Sequence, residues 1–200
     1  MSIDPPIEHY DKSVGLIDEK ICELINERKL ISNNPGYPTA DLITNWSKKY
    51  NLYEEFLDNL FIHLLNEEMY KPIEEPKGFI KNVPVLKSYE NKDVFYSVTL
   101  VRQYENVSVV QLHIDKDSSE ENPADRHQNT FIELTVEDKE NEYECRYEGG
   151  SGSGGHMSHD YIVSPPLPDD MTRIRLIFKE YDEPYRRKPT GLEFVITLDK

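Results

Sequence analysis

The sequence predicts an α+β protein: a small three-helix N-terminal module followed by an antiparallel immunoglobulin-like β-sandwich. Up to about residue 70, apolar residues recur with the 3.6-residue period of an amphipathic helix. In KPIEEPKG, residues 71 to 78, two prolines end that pattern, since proline lacks an amide proton and clashes with the preceding turn. Beyond them apolar and polar residues alternate with a period of two, over about eight short segments divided by turn residues, which is the pattern of a sandwich. The reading therefore places a helical module at 1–75 and the sandwich at 76–200.

The first helix is predicted over residues 13 to 33. Ile17, Ile21, Leu24 and Ile31 fall on one face, expected to be buried, and Asn33-Asn34-Pro35-Gly36 stops the helix. Thr39 caps a second, whose buried face would carry Leu42, Ile43, Trp46 and Tyr50. Asn51 with Glu54 three residues on reads as a capping box for a third, burying Leu52, Phe56, Leu60 and Leu64. Strands are predicted near 79–86, in two runs across 94–115 with a turn at Glu105-Asn106, then at 129–137, 142–147, 160–164 and 171–178, and last through Leu192, Phe194 and Ile196.

Composition bounds the function. In 200 residues, 37% hydrophobic and 30% charged describe a chain that builds a real core. No apolar run approaches the roughly 20 residues needed to cross a bilayer. The start, MSIDPPIEHYDKS, carries acid and proline where a leader would be basic and then apolar, so a cytoplasmic location is expected. Thirty-eight acidic against 23 basic residues leave a net charge of −15, which opposes nucleic acid and anionic lipid and suits a protein partner or self-association. Cys22 and Cys145 lack the paired spacing of a metal or redox motif and are expected to be reduced, buried thiols.

The stretch EYECRYEGGSGSGGHMSHDY holds a run, Gly149 to Gly155, with the composition of a flexible linker. Residues 149–158 are expected to form a Gly-rich hairpin loop that contributes little to stability. An inserted Gly/Ser linker and a loop native to the domain both remain open. It is no phosphate cradle, because His156-Met157 and a strand follow where a P-loop needs Lys-Ser/Thr and a helix. The order of a strand with Tyr147, a Gly-rich hairpin, Tyr161, then Pro165-Pro166-Leu167-Pro168 and a further strand resembles uncharacterised bacterial β-sandwich domains, which carry no known activity.

Within the first 70 residues, Ile17-Asp18-Glu19-Lys20-Ile21-Cys22-Glu23-Leu24-Ile25-Asn26-Glu27-Arg28 resembles the opening helix of the all-helical chorismate mutases, and WSKKYNLYEEFLDNLFIHLLNEE is similar in rhythm to their last two helices. The resemblance implies a shared helical scaffold. It also makes Arg28, which matches an arginine that reaches a substrate carboxylate, the candidate ligand residue. The family's further lysine and its Arg-Glu pair are missing: Asn33-Asn34-Pro35-Gly36 and Pro38-Thr39-Ala40-Asp41 stand instead. A dianionic substrate needs several convergent cations, so the module is expected to be non-catalytic.

The remaining motifs read as structure. Asp115 to Glu121 opens like a calcium loop, but Glu120 and Arg126 stand at positions six and twelve, where glycine and glutamate are needed. His156 and His159 with Cys145 are metal-ligand types without a fixed fourth member, so no metal and no cofactor is expected. Pro165-Pro166-Leu167-Pro168 reads as a rigid strand boundary and Arg186-Arg187-Lys188 as too small a basic cluster for nucleic acid. The expectation is a non-enzymatic protein-binding or structural module. The alternatives are an acidic immunity or antitoxin-like inhibitor of a basic toxin and a mutase-like enzyme in the helices.

Overall fold

The computed structural model describes residues 10–31, 36–116, 131–183 and 187–198. The chain divides into two units, Met1–Lys71 and Pro72–Lys200. The division falls before the expected boundary because residues between Pro72 and the first strand already pack on the sheet unit. Ile73 packs against Val107, Val109 and Ile162, and the Lys77 amide donates to Asn106 Oδ1 at 2.8 Å.

In the first unit a 3-10 turn at Lys12–Val14 leads into α1 (Gly15–Ile31), followed by α2 (Ala40–Tyr50), α3 (Glu54–Leu65) and a 3-10 turn at Glu67–Tyr70. Thr39 caps α2 as expected, its hydroxyl accepting the Leu42 amide at 3.4 Å. Asn51 does not open α3. It ends α2 in the left-handed region, at φ 54°, which asparagine tolerates better than most residues, and Tyr53 precedes α3.

The burial expected of α1 is not found. No residue of the helix is buried, and Ile17, Ile21, Leu24 and Ile31 are 60%, 50%, 61% and 84% exposed. Among the unit's described residues the buried ones are Ile43 of α2 and Leu57 and Ile62 of α3, and the Trp46 and Phe61 rings of the same helices lie 5.4 Å apart. Leu42, Tyr50, Leu52, Phe56 and Leu60, expected inside, are exposed. In the helix EEFLDNLFIHLL, Leu57, Phe61 and Leu65 adjoin the expected row of Phe56, Leu60 and Leu64 in one broad apolar face, so periodicity alone could not choose which part of it faces inward.

The second unit has eight strands among the described residues: β1 (Phe79–Asn91), β2 (Val94–Tyr104), β3 (Ser108–Lys116), β4 (Phe131–Glu137), β5 (Glu144–Ser153), β6 (His156–Ser164), β7 (Arg175–Glu183) and β8 (Arg187–Thr197). They form two antiparallel sheets, β1-β2-β3-β6-β5 and β4-β7-β8. Alternation decides the core. Val98, Val110, Leu112, Ile114, Tyr161 and Val163 of the larger sheet pack with Ile132, Leu134, Leu176, Phe178, Phe194 and Ile196 of the smaller. Aromatic rings stack at its centre, Phe178 on Phe194 at 5.0 Å and Phe194 on Tyr89 at 4.8 Å.

The Gly-rich stretch is not a ten-residue loop. β5 continues to Ser153, pairing Gly149 with Asp160 through Ser153 with His156, and only Gly154 and Gly155 turn. Their φ values of 59° and 87° are what a two-residue type I′ hairpin requires. Backbone ladder bonds do not need side chains, which is why linker composition concealed a strand. The glycines are also sterically required: a Cβ on Gly150 would lie 2.7 Å from the Ser158 carbonyl oxygen, and one on Gly152 2.7 Å from that of His156.

Asn33, Asn34 and Pro35 of the expected helix stop, the calcium-like stretch beyond Lys116, and Arg186 of the basic cluster lie outside the described residues.

Candidate functional site

Arg28 stands in the last turn of α1. Its guanidinium donates to the Gly36 carbonyl at 2.9 Å and lies 5.7 Å from the centre of the Phe61 ring, within cation–π range. The adjacent Lys29 is paired with Glu67 at 2.8 Å. These contacts tie the end of α1 to the chain that follows it and to α3.

In the sheet unit the β-ladder assembles a polar face that sequence spacing does not reveal. Residues 112 and 114 point into the core, so 113 and 115 point out. The registers Ser97 with His113, His113 with Ser158, and Ser158 with Ser151 place one row across β2, β3, β6 and β5. A second row runs from Phe95 through Asp115 and His156 to Ser153. Apart from Phe95, these residues, together with Thr99, Gly152 and Met157, line an open groove of about 660 Å³. His156 Nδ1 lies 2.5 Å from Asp115 Oδ1, and the Ser151 and Ser158 hydroxyls are 3.2 Å apart. One row further, Asp160 accepts from Gln111 Nε2 at 2.8 Å and from Arg102 at 3.2 Å.

Chemically this is a wet surface of hydrogen-bonding groups. The His156 side chain is 77% exposed, so its pairing with Asp115 is made in water and is weak.

The structure separates the candidate metal-ligand types. His156 and His159 are three apart on β6 and so project to opposite faces. His159 joins an aromatic cluster, 5.4 Å from Tyr147 and 6.4 Å from Tyr161. Burial there lowers its pKa below the usual histidine value, against the opposing charge of Asp160. Cys145 packs at the core edge, where burial pushes its thiol up to about 11. Among the described residues no group of three His, Cys, Asp or Glu side chains is placed to hold a metal ion. Cys22, expected to be buried, is exposed because α1 buries no residue.

Pro165 to Pro168 are bound into the fold. Leu167 is 3% exposed, its amide donates to Ser108 Oγ at 2.9 Å, and its carbonyl accepts from Gln103 Nε2 at 2.8 Å. These bonds hold the segment between β6 and β7, where the sequence reads a strand boundary.

The sequence reading missed Ser97, His113, Asp115, Ser151 and Ser158 as neighbours. The polar residues that alternate in LHID and SVTL placed them on an outward face, but only the ladder register brings four strands' residues to one level.

Comparison with known proteins assigns no family. No family model matches the chain, and no curated protein does. Among solved structures it is similar to a conserved domain protein from Bacillus anthracis, at 14% identity and a TM-score of 0.41, over 58% of this chain and 46% of that one. No described helix is long and apolar enough to cross a membrane.

Proposed function

We propose that the chain is a non-enzymatic protein-binding module whose contact face is the exposed side of α1. The observation that carries this reading is the row Ile17, Leu24 and Ile31. They are spaced by seven residues, two helical turns, and 60%, 61% and 84% exposed. A contiguous apolar stripe left in water marks a surface that another protein covers. The open polar groove on the sheet supports the non-catalytic part, because catalysis draws on groups held in a water-excluded site.

For the sheet unit we infer an immunoglobulin-like sandwich. The orders β2-β3-β6-β5 and β4-β7-β8 correspond to the ABED and CFG sheets of that fold, with β1 added beside β2. The fold presents binding surfaces in many proteins but does not imply one, so the functional claim rests on α1.

The test places a photo-crosslinking amino acid at Leu24 and, as a control, at the exposed Thr135 of β4. Protein adducts formed from position 24, and lost when Ile17 and Ile31 are replaced by glutamate, are expected. Equal adducts from both positions, or none from position 24, would refute the reading.

A further inference from the structure

The occupant of the α1 face can be named from the spacing and charge along the helix, on the reading that this face is a protein contact. Beginning in the turn before α1, Val14, Ile17, Ile21, Leu24, Arg28 and Ile31 are spaced three, four, three, four and three residues apart. That is the a/d pattern of a two-helix seam, sustained over about five helical turns, with five of six positions apolar. All five are at least 38% exposed, so the seam is complete except for its other half.

We propose that a second copy of this chain supplies that half, the two α1 helices packing antiparallel about a two-fold axis between Ile21 and Leu24. Two features select the direction. In a parallel pair the like positions meet, so Arg28 would face Arg28 within the seam, and the flanking Lys20 would lie against Ile25. In the antiparallel pair Ile21 meets Leu24, Val14 meets Ile31, and Arg28 meets Ile17. Arg28, half-buried within the row, already donates to the Gly36 carbonyl and lies over the Phe61 ring, so its stem can cover the partner's isoleucine while its charge stays bonded. The flanking exposed residues Lys20 and Glu27 then each lie beside the opposite residue of the other copy, giving two reciprocal ion pairs. A seam of this length is smaller than the standard interface of about 1,600 Å², so the dimer is expected to be reversible, with Kd of the order of micromolar.

Sedimentation velocity of the full chain over about 1 to 200 μM, the range such a Kd implies, tests the proposal, with circular dichroism to check that each variant folds. The wild type is expected to pass from monomer to dimer, and Leu24→Glu to remain monomeric. Lys20→Glu and Glu27→Lys each turn two attractions into two repulsions and should weaken association about tenfold. The double variant K20E/E27K should restore it, and an equimolar mixture of the two single variants should form heterodimers. Should Leu24→Glu unfold, the exposed charge exchanges still decide the matter. A wild type that is monomeric throughout, a dimer indifferent to Leu24→Glu, or a double variant no better than the singles would overturn the proposal. A monomer whose position 24 still crosslinks to another protein would overturn the second copy while leaving the protein-binding reading intact.

Discussion

At the scale of single residues, position on a strand decides chemistry more than residue type does. His156 and His159 are near neighbours in sequence, yet one lies in water beside Asp115 and the other is packed between Tyr147 and Tyr161. Burial disfavours the charged form of His159 in the folded chain, so its pKa lies below the 6.5 of an unperturbed imidazole. The unfolded chain therefore binds more protons as pH falls from 6.5 through the folded value, and stability is lost across that window. Urea midpoints at pH 7.5 and 5.5 should differ less for His159→Gln than for the wild type; an unchanged difference would show that this ring does not contribute. Arg28 bears on the mutase-like alternative. Its known contacts are a carbonyl and a ring, so no loss of chorismate absorbance is expected with wild type or Arg28→Ala. Turnover abolished by the substitution would reverse the non-enzymatic reading.

At the scale of elements, the β5–β6 hairpin shows how a strand can be written without side chains. Gly150→Ala puts a methyl group 2.7 Å from the Ser158 carbonyl oxygen and should cost about 1 to 3 kcal/mol in a denaturation series. Gly149→Ala, with open space at its Cβ, is the contrast and should change stability much less. Removing residues 149 to 153 would delete the pairs from Gly149–Asp160 to Ser153–His156 and is expected to lower Tm by several degrees. An unchanged Tm would mean that this half of the hairpin adds nothing. Helix α1 makes the converse point. Its amphipathic spacing was legible, but spacing identifies a face without saying what covers it.

At the scale of the whole molecule, the two units differ in how much apolar surface they hide. The sheet unit encloses a continuous two-sheet core with Val98, Leu112, Leu176 and Phe178 fully buried, whereas the helical unit buries Ile43, Leu57 and Ile62 among its described residues. Amide exchange on the full chain should therefore show β3 and β7 opening only with global unfolding and α1 opening at far lower free energy. Protection of α1 that rises with protein concentration would be the mark of association, and protection equal to that of β3 in dilute monomer would contradict this ordering. Phe178→Ala should cost about 3 to 5 kcal/mol and act on the sheet unit.

The sequence by itself determined the elements. Periods of 3.6 and 2 placed three helices, the change of pattern near Pro72 and eight strands, because apolar spacing is a local property that burial of one face imposes directly on the chain. It also determined that Val110, Leu112, Ile114, Leu176, Phe178, Phe194 and Ile196 would point one way along their strands, and these are core residues. Only the tertiary structure decided which strands are neighbours, and hence that Ser97, His113, Ser158 and Ser151 share a level. It alone decided that Gly149 to Ser153 are ladder, that Asn51 ends one helix instead of starting the next, and that the apolar row of α1 faces outward. The physical reason is common to all of these. Register, pairing and the covering of a face are contacts between residues distant in sequence, and a backbone hydrogen bond or an exposed isoleucine leaves no mark in the local pattern of side chains.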